Sequence, residues 1–352
     1  MPRQMGHIRI MISARVLLDL EAADAIFEKD GEQAYTDYML GQGKYADDYD
    51  AKLGGRKLAK GPALAFAQAL LALNKPDQDP VVDIAIYCKD TAETSVPIFR
   101  NISALGLDGT YTEFRFATAG NDLDKRYLDA FETDLLLTRN EADMQMAIDN
   151  GVAAAVINAP PAGVEYTHAA GEPVQIWVDG DAVSVGSSSE VINLRKGLSA
   201  YFEEEARNFD KGMEPGPFTA FLAKISALNA TVAKADRPFH LTLLTARSRG
   251  AVTRLVRATK KLGIDFDGGE NFAGNTAKAA WIKAFKPDIF LDDGAHHLVD
   301  SMRWSLTGRV GYPTGSAMDK QQKEQARKAK AEAAAKKAAA ARPTSPRPRG
   351  RH

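Results

Sequence analysis

The chain repeats itself, and a repeat of this length limits it to folds that can be built twice. MISARVLLDLEAADAIFEKDGEQAYTDY set beside WVDGDAVSVGSSSEVINLRKGLSAYFEE places Ser13 on Asp179, Ile26 on Ile192 and Gly31 on Gly197. Ala34 and Tyr35 fall on Ala200 and Tyr201. Further along, GPALAFAQALLALN from Gly61 matches GPFTAFLAKISALN from Gly216, and Leu105-Gly-Leu-Asp108 matches Leu262-Gly-Ile-Asp265. YLDAFETDLLLTR, ending at Arg139, then matches WIKAFKPDIFLDD, ending at Asp293. Matches that recur in one order indicate a duplication of about 150 residues.

Each copy reads as α/β. IRIMIS and VQIWVD are short β-branched runs suited to buried strands. A polar, helical insertion follows each. The segments from Gly61 and Gly216 have apolar residues at helical spacing. Then come a strand (VDIAIYC or FHLTLLT), a helix and another strand (TDLLLT or PDIFLDD). Alternation of this kind predicts mostly parallel sheets with helices on both faces, and ligands beyond the carboxyl ends of the strands. The expected architecture is two tandem, related Rossmann-like lobes, 1–165 and 166–312, with a helical insertion at about 187–237 in the second. The insertion suits a lid over the crevice.

From about residue 313 the text turns to Ala, Lys and Pro. Asp319 to His352 holds 11 Lys and Arg against 3 Asp and Glu, a net +8 in a chain of net −1, so the body carries −9. With almost no large apolar residue, the tail is expected to be a solvated helix and then a disordered end. It is read as a solubilising tail, with a docking arm for RNA or an acidic partner as the alternative; an acidic body argues against nucleic-acid binding elsewhere.

Chemistry concentrates in the second copy. Its strand ends carry Asp179-Gly-Asp181, then Thr245, then Asp292-Asp293, with Lys278 close before the last strand. Four carboxylates suit a hard cation, Mg²⁺, which takes oxygen ligands. A hydroxyl and an ammonium suit phosphate oxygens. Asp179 could attack phosphorus and form an aspartyl-phosphate, Asp181 could protonate the leaving oxygen and then activate water, and Asp179, Asp181, Asp292 and Asp293 together could hold the metal. The first copy has lost this set. Ser13, Arg15, Cys88, Thr138 and Arg139 stand where Asp179, Asp181, Thr245, Asp292 and Asp293 stand, and Asp124 falls near Lys278. It is read as catalytically silent. Arg15 and Arg139 there are either an anion site or surface residues of a decayed one.

DGDAV, LLTARS, Lys278 and FLDD resemble the four motifs of haloacid-dehalogenase-like phosphohydrolases. SARVLLDLE, GPALAFAQALLALN, VDGDAVSVGSSSE and KAFKPDIFLDD are similar to the cytosolic 5′-nucleotidase type I family. The resemblance runs from about Ile8 to about Val299 and leaves out the tail. It implies Mg²⁺-dependent hydrolysis of nucleoside 5′-monophosphates, AMP or a relative, to nucleoside and phosphate. It implies Asp179 as nucleophile, Asp181 as acid/base, Thr245 and Lys278 on the phosphoryl group, and Asp292 and Asp293 at the metal. Two departures lie near where a nucleoside would bind: Val185-Gly-Ser-Ser-Ser-Glu190 in place of an acidic run, and Gly294 in place of Gln after the Asp pair. Arg247, Ser248 and His297 are the weaker candidates for substrate contact.

Other classes drop out. Cys88 is the sole cysteine, so a disulfide within the chain or a CxxC site is excluded. There is no apolar run of membrane-spanning length and no secretion signal in the first 20 residues, which makes a cytoplasmic protein the expectation. No GxGxxG opening a helix, P-loop or GxSxG elbow is present. A homo-oligomer is expected. Two rival readings stay open: a phosphatase of another small phosphomonoester such as a sugar phosphate, and a nucleotide-binding sensor without turnover.

Overall fold

The structure, a computed structural model, describes residues 7–112, 114–247, 251–274, 276–324 and 327. Its frame is one ten-stranded sheet. The strands are β1 (Ile8–Ser13), β2 (Val82–Cys88), β3 (Arg115–Ala117), β4 (Leu135–Thr138), β5 (Ala153–Ile157), β6 (Val174–Val178), β7 (Phe239–Thr245), β8 (Gly269–Phe272), β9 (Ile289–Asp292) and β10 (Leu306–Val310). Their spatial order is β8-β7-β6-β9-β10-β5-β4-β1-β2-β3. Every pairing is parallel except β10 with β5. The inner strands are mostly β-branched or aliphatic runs and largely buried, as parallel strands under helices must be, while the edge strands β3 and β8 are partly exposed.

The order reads the same from either edge, and so does the register. Ile8 pairs with Val82 as Val174 pairs with Phe239. Ile10 pairs with Leu135 as Ile176 pairs with Ile289. Cys88 pairs with Ala117 as Thr245 pairs with Phe272, and Thr138 with Val156 as Asp292 with Arg309. Counting along the strands puts Ser13 at the place of Asp179 and Thr138 at the place of Asp292. The strands of the two matching stretches do not form the two separate lobes expected but one sheet. They meet along β5 and β10, where Val156 pairs with its own counterpart, Arg309. Pairing these two strands leaves neither as a bare edge. Small residues let them close: a Cβ on Gly308 would lie 3.0 Å from the Cβ of Ala155. Because this one pairing is antiparallel, the carboxyl ends of the two sets of strands open on opposite edges of the sheet.

Helices cover both faces. They are α1 (Glu21–Leu40), α2 (Leu64–Ala72), α3 (Ala92–Ala104), α4 (Lys125–Phe131), α5 (Glu141–Asp149), α6 (Ser188–Lys196), α7 (Leu198–Arg207), α8 (Thr219–Asn229), α9 (Ala251–Lys261), α10 (Lys278–Phe285) and α11 (Ala295–Ser301). The stretch expected as an insertion, about 187–237, holds α6, α7 and α8; the first two are broken at Gly197 with φ +83°, and α1 breaks at the matching Gly31 with φ +85°. Only glycine takes that conformation without strain. In α8, Phe221, Leu222 and Ile225 are buried, so this helix is scaffold. Gly61 and Gly216 each pass against the loop after a first strand. A Cβ on Gly216 would sit 2.3 Å from the Val183 carbonyl oxygen, and one on Gly61 would sit 2.6 Å from the Leu17 carbonyl carbon.

Among the described residues, no helix is long and apolar enough to cross a membrane. A further helix begins at residue 317. Met318 at its start is buried with Ala182, Val191 and Tyr312, so the root of the tail packs on the body rather than standing in solvent. The helix is described to residue 324, and beyond it only residue 327 of the basic tail lies within the described residues.

Candidate active site

The carboxyl ends of β6, β7 and β9 bring the expected residues together. Asp179 follows β6, and its N–H donates to the Leu291 carbonyl at 2.9 Å, which ties it to β9. The chain then turns back on itself. The Ser184 and Val185 N–H groups donate to the Gly180 carbonyl, and the Ser184 hydroxyl donates to the Asp179 carbonyl at 2.7 Å. Ala182 in this turn takes φ +61°. Gly180 has no room for a side chain: a Cβ would lie 2.8 Å from Leu255 Cδ2 and 3.3 Å from the Thr245 hydroxyl oxygen.

Lys278 opens α10, 2% exposed, and stands between two carboxylates. Its Nζ lies 2.7 Å from Asp179 Oδ1 and 2.7 Å from Asp292 Oδ2. Asp292 ends β9 and is fully buried, with its Oδ1 accepting from the Gly294 N–H at 2.8 Å. Asp293 follows, half-buried, and accepts the Tyr312 hydroxyl at 2.5 Å. Thr245 is buried at the end of β7 and its oxygen accepts the Arg247 N–H at 3.2 Å.

Asp179, Asp292 and Asp293 each offer an oxygen, and these oxygens lie within 4.8 Å of one another. Three carboxylates face a single ammonium, so the cluster lacks positive charge. Burial pushes Asp292 up to about 8 and Asp293 up to about 7, and the neighbouring carboxylates add to it. Asp179 is raised for the same reasons, against the pull of Lys278. An all-oxygen donor set short of cationic charge fits a hard divalent ion such as Mg²⁺.

Asp181, expected as a fourth metal ligand, is not among the converging acids. Both its oxygens face Arg247, with Nε and Nη2 each at 2.7 Å. A guanidinium fork matches a carboxylate in just this way. Arg247 Nη1 then reaches Glu205 Oε2 on α7 at 2.5 Å, and Arg254 Nη1 holds the other Glu205 oxygen at 2.9 Å. Arg247, expected at phosphate or ribose, is 4% exposed and is committed to these two acids. Its neighbour Ser248 lies outside the described residues. His297 is half-buried on α11, its ring centroid 3.9 Å from that of His296. Burial and the Lys278 charge push it down to about 4, so it is neutral at physiological pH. Glu205, Arg254 and Tyr312 were not singled out from sequence. Glu205 sits within an EEEAR run where nothing marks one acid from the next.

At the carboxyl ends of β1, β2 and β4, the matching positions in the first half, stand Ser13, Cys88 and Thr138, all buried. The Tyr87 hydroxyl lies 3.0 Å from Thr138 Oγ1 and 3.0 Å from Asp143 Oδ2. Asp124 caps α4, accepting the Arg126 N–H at 2.8 Å. A cavity of about 810 Å³ opens beside this crevice, with Arg15 and Arg139 in its wall. Arg15 is paired with Asp24, and Arg139 with Glu21 at 3.1 Å. Both arginines that could have made an anion site are thus already engaged by acids of α1. This crevice opens on the edge of the sheet opposite to Asp179, so it contributes no group to the carboxylate cluster.

A family model described as 5′-nucleotidase matches residues 1–317. Human cytosolic 5′-nucleotidase 1B is 25% identical over 322 residues, which covers 88% of this chain and 50% of that protein. The chain thus spans about half the length of the curated relative it matches. A solved structure, histidinol dehydrogenase from Elizabethkingia anophelis, aligns at a TM-score of 0.20 and 10% identity over 88% of this chain and 81% of its own. A likeness that low carries no argument.

Proposed function

Because this chain belongs to the 5′-nucleotidase family, we propose that it hydrolyses nucleoside 5′-monophosphates, with Asp179 as nucleophile. The observation that carries this reading is the convergence of Asp179, Asp292 and Asp293 around Lys278 at the ends of two adjacent strands, β6 and β9. Asp179, Asp292 and Asp293 would hold Mg²⁺, which supplies positive charge against the phosphoryl oxygens. Lys278 and the Thr245 hydroxyl would bind the remaining phosphoryl oxygens and neutralise charge as it develops.

A carboxylate oxygen of Asp179 attacks phosphorus and the bond from phosphorus to the 5′ oxygen breaks. Asp181 gives its proton to that oxygen, and the nucleoside leaves. Asp181 then takes a proton from water, which attacks the aspartyl-phosphate, releases phosphate and restores Asp179. In the substrate-free structure Arg247 forks both Asp181 oxygens, so Asp181 must leave this pairing and take up a proton before it acts as acid. Helices α6 and α7 form the lid. Val191 of α6 packs on Ala182 of the catalytic turn, and Glu205 of α7 reaches Arg247, so the lid touches both halves of the acid/base apparatus.

The matching strand order and register support an internal duplication into a silent half, 1–165, and a catalytic half, 166–312. The silent half then serves as scaffold for the shared sheet. The absence of a membrane-spanning helix among the described residues, and a cytosolic relative, support a cytoplasmic location. Phosphate release from a panel of nucleoside monophosphates and sugar phosphates, with Mg²⁺ and with EDTA, tests the activity. Release from nucleotides alone supports the reading. Release from sugar phosphates alone keeps the chemistry and replaces the substrate. Binding of nucleotides without release makes the protein a sensor.

A further inference from the structure

We propose that the segment after β10, from Tyr312 to Asp319, is a strap that belongs to the catalytic centre, and that Tyr312 is a positioning residue for Asp293. The proposal rests on the reading of Asp293 as a cation ligand.

The strap has a local cause for its path. Gly311 lets the chain pass close to α5, where a Cβ would lie 2.5 Å from Met144 Sδ. The next residues are then fastened to the carboxyl end of α5. Gln145 Nε2 donates to the Tyr312 carbonyl at 2.9 Å, and the Thr314 N–H and hydroxyl each donate to Asp149 at 2.7 Å. The sequence GSAMD then starts a helix reciprocally. The Ser316 hydroxyl oxygen accepts the Asp319 N–H at 3.2 Å, and Asp319 Oδ2 accepts the Gly315 N–H at 2.9 Å. This is the logic of a capping box. It points Met318 inward, where it is 6% exposed against Ala182, Val191 and Tyr312. The strap therefore touches the silent half through α5, the catalytic turn through Ala182, the lid through Val191 and the cation cluster through Tyr312.

The Tyr312 hydroxyl donates to Asp293 Oδ2 while its ring is held in that small apolar cluster. A carboxylate at the end of a strand turns about its own bonds unless something fixes it, and partners behind a metal ligand are worth roughly 10- to 100-fold in metal affinity. The duplication supplies an internal comparison. Strand register places Ala159 at the position of Tyr312, in the half where Arg139 stands in place of Asp293. The tyrosine is present where there is a carboxylate to orient and absent where there is none. A purely structural aromatic would have had the same use at both ends of the sheet.

The test is calorimetric titration of Mn²⁺ and Mg²⁺ into full-length, metal-stripped protein without substrate, for wild type, Tyr312→Phe and Met318→Ala. Tyr312→Phe removes only the hydroxyl and keeps the ring in its cluster. We expect it to weaken cation binding by about 10-fold or more while the thermal midpoint of the metal-free protein stays within about 2 °C. Met318→Ala leaves both partners of the hydrogen bond in place but loosens the strap, and a smaller loss in the same direction is expected. With Tyr312→Phe, phosphate release should need correspondingly more Mg²⁺ and recover at saturation. Unchanged cation affinity in Tyr312→Phe overturns the proposal. So does a loss of affinity matched by a general loss of metal-free stability, since the residue would then be structural. If wild type itself binds neither cation, the underlying assignment of Asp293 fails instead.

Discussion

Arg247 grips both carboxylate oxygens of Asp181 at 2.7 Å, and the same guanidinium reaches Glu205 on helix α7, the proposed lid. One buried cation thus links the proposed acid/base to the element that covers it. Removing a single partner from a buried ionic cluster costs about 3–5 kcal/mol, because the charges left behind lose their compensation. Arg247→Ala should therefore lower unfolding free energy by about that much in urea titrations. Arg247→Lys keeps the charge but loses the fork. It should fold and yet lose about 10-fold or more in kcat, with a smaller change in KM. Equal kcat in Arg247→Lys would show that the two-pronged contact does not set the orientation of Asp181.

The carboxylate cluster predicts an unusual pH dependence for the metal-free protein. Asp293 is pushed up to about 7 and Asp292 up to about 8, from an ordinary value of 3.8. Between the ordinary and the raised values the folded chain binds more protons than the unfolded chain, so stability falls as pH rises. With EDTA present, the thermal midpoint should decline from about pH 5 to about pH 8. Mg²⁺ binds the folded form and competes with those protons, so it should raise the midpoint more at pH 8 than at pH 5. A midpoint that is flat across this range, or a Mg²⁺ effect larger at pH 5, would contradict the electrostatics described for the cluster.

Gly61 and Gly216 offer a matched pair of variants. Each has no space for a methyl group because backbone atoms lie within 2.6 Å of where a Cβ would be. Gly61→Ala and Gly216→Ala should each destabilise the fold by about 1–3 kcal/mol, the usual cost of forcing atoms into a packed site. Only Gly216 presses on the turn that carries Asp179 and Asp181. Per folded molecule, Gly216→Ala should lose about 10-fold or more in phosphate release, and Gly61→Ala should stay within about 2-fold of wild type. Equal losses would mean that the first half is not catalytically silent.

Much of the frame was legible because its strands are fully buried aliphatic runs. IRIMIS, VDIAIYC and FHLTLLT are β1, β2 and β7 with the same bounds. Strands β5 and β10 escaped notice because AAAVI and LTGRV are small-residue or mixed segments. Those two join the copies into one sheet, so the joining was hidden with them. At the site, Asp179, Asp292 and Asp293 were legible because acidic residues at strand ends imply chemistry, and Lys278 through its spacing to Asp292 and the family resemblance. The direction of the Asp181 carboxylate was not, since it is set by Arg247, a contact that depends on where the lid packs. Tyr312 was hidden for a similar reason. It stands at the edge of a low-complexity tail, and its value lies in a hydrogen bond to a residue 19 positions earlier.

In the proposed reaction the Asp179 carboxylate attacks the phosphoryl group. The most direct test of that step is the rate of phosphate release from a nucleoside 5′-monophosphate at saturating Mg²⁺, for wild type and Asp179→Asn, with folding of the variant checked by its unfolding transition. A folded Asp179→Asn variant should lose at least about 1,000-fold in rate, because the amide removes the nucleophile and leaves Lys278 and Asp292 in place. A folded variant that keeps more than about a tenth of the wild-type rate would contradict the assignment of Asp179 and the covalent mechanism built on it.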